Sequence, residues 1–120
     1  MIIQIPGVDS EKGLDLYEDD IDLYIKVLHS YVSNTPLALD KLRKVSAEAV
    51  ADYASVVHGV KGTSTAIGAE DTRKEAYKLE LLAKAGDLSG VLAGNDAFLQ
   101  QADKLIYEIN TWLKKNDAKG

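Results

Sequence analysis

His58, one of only two histidines in the chain, is followed by Lys61 and Gly62 three and four positions later. On a helix those spacings place all three on one patch of surface. A neutral imidazole is a good nucleophile near cellular pH, because one ring nitrogen is free without help from a strong base. A phosphoryl group accepted there would carry negative charge within reach of Lys61. A hydrogen bond to such a charged group contributes roughly 1.5–3 kcal/mol. Gly62 would leave room for a partner's active site to close over the phosphorus. The chain has no Walker A loop and no G-x-G-x-x-G run, so any phosphate must come from, and go to, another protein.

These residues need a helix to hold them, and the flanking pattern predicts one. Val50, Tyr53, Val57, Val60 and Ile67 recur at steps of three, four or seven. His58 sits beside that stripe, on the edge that turns towards solvent. The outer face holds only small residues: Ala51, Ser55, Gly59, Gly62 and Ala66. Solvated faces usually carry Lys, Glu and Gln, and an interior glycine costs roughly 1 kcal/mol relative to Ala. Two explanations compete: a face kept clear for a docking partner, or close packing of a second helix.

The remaining elements are also helical. Strand-like alternation is confined to Ile2–Ile5 and is closed by Pro6-Gly7. Asp9 or Ser10 can cap a short helix over 11–17, weakened by Gly13. A long helix follows Asp19-Asp20, with Tyr24, Leu28 and Tyr31 on its apolar face and Asp22, Lys26, His29 and Ser33 opposite. Pro36 either starts a new helix or kinks a continuous one. Ser46 marks the start of the His58 helix, and Gly68 its end. A helix over about 69–85 buries Thr72, Ala76, Leu79, Leu82 and Ala83, and Gly86-Asp87 ends it. The last helix reaches Leu113 with Phe98, Ala102, Leu105, Ile109 and Trp112 inward; Gly94-Asn95-Asp96 either caps or interrupts it. The fold expected is an all-α, antiparallel up-down four-helix bundle over 19–115, with an N-terminal extension over 1–18.

Composition narrows the function. A chain of 120 residues is the size of one domain. A net charge of -5 and a pI near 4.9 give no electrostatic support for nucleic-acid or anionic-membrane binding. With no cysteine there is no disulfide, thiolate metal site or cysteine nucleophile. There is no signal-peptide pattern and no apolar run of membrane-spanning length, so a cytoplasmic protein is expected. The opening Met and the closing Lys119-Gly120 fit a free-standing protein or a domain of a larger one.

The segment His58-Gly59-Val60-Lys61-Gly62, continued by small residues to Ile67-Gly68, resembles the histidine-containing phosphotransfer (HPt) domains of bacterial-type phosphorelays. The family pattern continues as Ala-x-x-Leu-Glu, then Ala and a Gly-Asp turn. Here it reads Ala76-Tyr77-Lys78-Leu79-Glu80, Ala83 and Gly86-Asp87. Gly7-Val8-Asp9, Gly13-Leu14 and the run from Tyr24 to Thr35-Pro36 resemble the family's lead-in and first long helix. In the family that helix runs through the Thr-Pro. Gly59 departs from the pattern, standing where a bulkier residue is common. The resemblance implies a carrier, not an enzyme. His58 takes a phosphoryl group from a receiver-domain aspartate, Lys61 contacts it, and Gly62 gives access. It implies partners among response-regulator receivers and hybrid sensor kinases, with magnesium supplied by the receiver and no cofactor of its own. Ala51, Ser55, Gly59, Gly62 and Ala66 are the expected footprint, and a monomer is expected.

Other readings of the same residues are less specific. Ser55, Ser64 and Thr65 read as structural, His29 as solvated, and Glu80 as a helix-surface charge. Tyr24, Tyr31, Tyr77 and Trp112 suit core or rim packing. A sensor kinase's dimerising domain would need an acidic residue just after the histidine and a proline soon after. Gly59 and the absence of a nearby proline argue against it. A helical interaction module, never phosphorylated, is the remaining alternative.

Overall fold

Asp9 and Asp20 set the first two helix starts. In a computed structural model describing residues 3–116, the Asp9 carboxylate accepts from the Lys12 amide at 3.1 Å and begins α1 (Ser10–Asp15). The Asp20 carboxylate accepts from the Leu23 amide at 3.1 Å and begins α2 (Ile21–Leu42). Each satisfies a first-turn amide that has no partner inside its helix. Between the helices, Glu18 and Asp19 turn the chain at positive φ, 54° and 63°.

α2 continues through Pro36 without a break, as the family resemblance implies and the bare sequence left open. Ser46 does not start the next helix directly. A 3-10 turn over Ala47–Ala49 intervenes, closed by the Ala49 amide donating to the Ser46 carbonyl at 3.1 Å. The helix bearing His58, α3, spans Val50–Ile67, and α4 spans Glu70–Lys84. The last helix, α5, runs unbroken from Leu88 to Asn116. Its 29 residues span about 43 Å, nearly the molecule's longest extent of 46 Å.

Gly94-Asn95-Asp96 therefore neither caps nor interrupts the last helix. Asn95 is buried inside it, donating to the Leu42 carbonyl at 2.9 Å and accepting from the Tyr53 hydroxyl at 2.8 Å. It satisfies an end carbonyl of α2, which has no acceptor role left within its own helix. Sequence alone could not distinguish a buried cap for another helix from a local one.

The fold is all-helical, with no strand among the described residues. α2 and α4 each pack on both α3 and α5, and the short α1 rests on α2 and α3, giving a helical bundle. The alternation at the N-terminus is real but forms no strand: Ile3 and Ile5 are buried and Gln4 is exposed. Ile2, and Lys119-Gly120 at the other end, lie outside the described residues. No helix among the described residues is long and apolar enough to cross a membrane.

Two apolar clusters fill the bundle. One joins Ile3 and Ile5 to Tyr24, Leu28, Ile109 and Trp112. The other, which includes Val57, Val60, Leu79 and Phe98, supports the His58 segment of α3. Tyrosine hydroxyls fix the end of α3. Tyr17 donates to the Ala66 carbonyl at 2.8 Å and Tyr24 to the Ile67 carbonyl at 2.7 Å. The Tyr31 hydroxyl pairs with the buried Ser64 hydroxyl at 2.9 Å. Ser64 is thus structural, as its sequence setting suggests, and so are Tyr24 and Tyr31.

Candidate functional site

His58 lies midway along α3, its side chain 61% exposed while its neighbours Val57 and Val60 are buried. The rigid helix and the core beneath it fix the ring's position. Nδ1 lies 2.7 Å from Oε2 of Glu80, on α4. Glu80 is not the surface charge its sequence position suggested: only 1% of its side chain is exposed. The signal was present, because Glu80 stands four residues after Ala76 and next to Leu79, both buried. A glutamate on an apolar face is easily read as its solvated edge, since carboxylates are almost never buried without partners.

Glu80 has three partners. Lys61 Nζ lies 2.7 Å from Oε1, and Lys84 Nζ lies 2.8 Å from the same Oε2 that meets His58. Burial acts to raise the Glu80 carboxyl, but Lys61, Lys84 and His58 outweigh it and hold the group down at about 2. Glu80 is therefore a carboxylate at neutral pH and can only accept hydrogen bonds. A neutral His58 must place its proton on Nδ1 and donate it to Glu80. Its Nε2 then carries a free lone pair, and no protein partner meets that nitrogen among the described residues. The geometry sets the tautomer.

Lys61 joins the cluster through Glu80 and is already engaged. Besides Glu80, its ammonium lies 5.0 Å from the Tyr77 ring centroid, over the face of the ring. Tyr77 is thus a half-exposed rim residue beneath a cation. Lys84 was not singled out by the sequence, because a lysine in the last turn of a helix usually serves the helix dipole. Thr65 donates to the Lys61 carbonyl at 2.9 Å, within its own helix. His29, on α2, is exposed. Among the described residues no three His, Asp or Glu side chains converge as a metal site.

No protein-family model, curated protein or solved structure matches this chain.

The small-residue face resolves into two parts. Ser55 and Gly59 line an open groove of about 390 Å³ between α2 and α3, whose wall includes Leu37, 63% exposed. Ala51 and Gly62 are exposed outside it, and Ala66 is half-buried against Tyr17. A Cβ built at Gly59 or Gly62 meets nothing within 4 Å. Close helix packing is therefore not why either glycine is there. Replacing either by Ala should stabilise the fold by up to about 1 kcal/mol, read from urea denaturation. A loss of stability at both positions would show that the space beside them is not free.

Proposed function

We propose that this protein is a phosphorelay carrier of the histidine-containing phosphotransfer type, with His58 as phosphoacceptor. The observation that carries the reading is an exposed imidazole whose inner nitrogen is held by a buried carboxylate, leaving Nε2 free. The Nε2 lone pair attacks phosphorus in an aspartyl phosphate of a receiver domain. The N–P bond forms, the acyl O–P bond breaks, and the electron pair leaves with the aspartate carboxylate. The Nδ1 proton stays in place, so the ring becomes cationic, and the Glu80 carboxylate balances that charge.

Glu80 is a positioning residue. With its carboxyl held near 2 it does not take the ring proton at neutral pH. Lys61 contacts the phosphoryl group with an ammonium hydrogen that Glu80 does not use, and Gly62 gives the receiver access. Ala51, Ser55, Gly59, Gly62 and Ala66 form the receiver's footprint. The helix order and neighbours suit an antiparallel up-down four-helix bundle with a short N-terminal extension. The chain acts as a cytoplasmic monomer, between a hybrid sensor kinase or receiver and a second receiver. Magnesium and most of the catalysis come from the receiver.

The test is phosphotransfer from a panel of phosphorylated receiver domains to the native chain and to His58→Gln. Acid-labile, base-stable label on the native protein, and none on the variant, is the expected result. Labelling of both proteins would make His58 the wrong residue. Labelling of neither would leave a helical interaction module in place of a carrier.

A further inference from the structure

Lys84 is the residue in the cluster that the carrier reading does not use. Its ammonium hangs on the same carboxylate oxygen as His58 Nδ1, one atom away from the ring's inner edge. Its side chain is 61% exposed, against 24% for Lys61. Lys61 is gripped twice, by Oε1 of Glu80 and by the Tyr77 ring, whereas Glu80 is the only partner of Lys84 among the described residues.

The charges also do not balance. Two ammonium groups face one carboxylate, so the unmodified site holds one excess positive charge in a chain of net charge -5. Glu80 is nearly fully buried and needs one cation beside it, because an unpaired buried carboxylate is strongly destabilising. Lys61, less exposed and doubly held, can fill that role alone. Lys84 is then available, at little desolvation cost, to an anion arriving on the outer edge of the ring.

We propose that Lys84 is a second phosphate-binding residue, turning from Glu80 to the phosphoryl group once His58 is modified. The inference rests on His58 accepting phosphate but not on which protein delivers it. Lys61 adds positive potential from behind, and the two lysines hold the phosphoryl group between α3 and α4.

Phosphoramidate tests this without any receiver. His58 Nε2 attacks its phosphorus, the phosphoramidate N–P bond breaks, and ammonia leaves with the electron pair, while the Nδ1 proton remains on the ring. The phosphoryl group is then titrated by phosphorus NMR in 1 M salt, where a Debye length of about 3 Å leaves mainly direct contacts. Lys84→Met should raise the midpoint of phosphoryl protonation by about one pH unit. Lys84→Arg should titrate like the native protein, and Lys78→Met, a lysine of α4 paired with Glu75 instead of Glu80, should change nothing. A native-like midpoint for Lys84→Met would overturn the proposal, as would phosphoryl found on His29 and not His58. If phosphoramidate labels His58 but no receiver does, the carrier reading fails while the role of Lys84 is still decided.

Discussion

Glu80→Gln is expected to slow phosphoryl transfer to His58 roughly 10–100-fold, the size of effect seen when a metal-ligating histidine loses the carboxylate that orients it. The native carboxylate only accepts, so in the neutral ring Nδ1 must donate and Nε2 carries the lone pair. A carboxamide can donate as well as accept. It can therefore stabilise the other tautomer, in which Nε2 carries the proton and has no lone pair for phosphorus. The amide also cannot balance the positive charge that develops on the ring. Nitrogen chemical shifts of the imidazole should show the tautomers mixing in the variant, a change that a loss of stability alone would not produce. Native transfer rates with an unchanged tautomer would remove Glu80 from the mechanism.

The same residue gives stability a pH dependence of known sign. The folded Glu80 carboxyl sits at about 2, below its ordinary value of 4.5. Its contribution is therefore fully present above about pH 4.5 and is lost as pH falls towards 2. A depression of that size corresponds to about 3 kcal/mol. His58 and Lys84 are each 61% exposed, so solvent screening reduces the expected figure to about 1–2 kcal/mol. Urea denaturation should show native protein more stable than Glu80→Gln by that margin at pH 6, with the difference closing by pH 2. A constant margin across the range would mean that the charged network contributes nothing to folding.

Gly68→Ala is expected to destabilise the fold by about 3 kcal/mol or more, combining left-handed strain with displacement of a packed segment. Gly68 ends α3 at φ 81°, and a Cβ there would collide with the Asp9 carbonyl oxygen. The Asp9 amide donates to the Gly68 carbonyl at 2.8 Å, so the N-terminal segment is anchored at this point. Gly13 completes the close approach, since a Cβ there would lie 2.7 Å from the Ile67 carbonyl oxygen. Moving the segment away would expose Ile3 and Ile5. His58 lies ten residues earlier on a helix supported by the other apolar cluster. The folded fraction should therefore still accept phosphate at low temperature, while hydrogen exchange speeds up around 3–15. A loss of less than 1 kcal/mol would show that the segment is not bound tightly at this glycine.

Gly59 and Gly62 are the opposite case: the same residue type, with open space beside each. Sequence could not separate them from Gly13 and Gly68, because a glycine carries no sign of which neighbour it admits. Only the packed structure shows that two glycines let the backbone close on itself and two keep a surface clear.

Much of the architecture was legible in the periodic apolar positions. Tyr24, Leu28 and Tyr31, then Val57 and Val60, then Ala76 and Leu79, then Phe98 and Ile109 are all buried as their spacing requires. Asp20 caps α2 and Gly68 closes α3 for the same local reason: each satisfies groups within a few residues of itself. His58, Lys61 and Gly62 were likewise legible, because helical spacing alone puts them together. What sequence could not reveal was the far side of the site. Glu80 is 22 residues from His58, and Lys84 reaches the ring's edge only through Glu80. Whether a glutamate beside a buried stripe meets solvent or an imidazole depends on how α4 is rotated against α3, which the packing of every buried side chain between them decides. Local spacing determined the exposed histidine and its helix; tertiary packing determined which of its nitrogens meets a carboxylate.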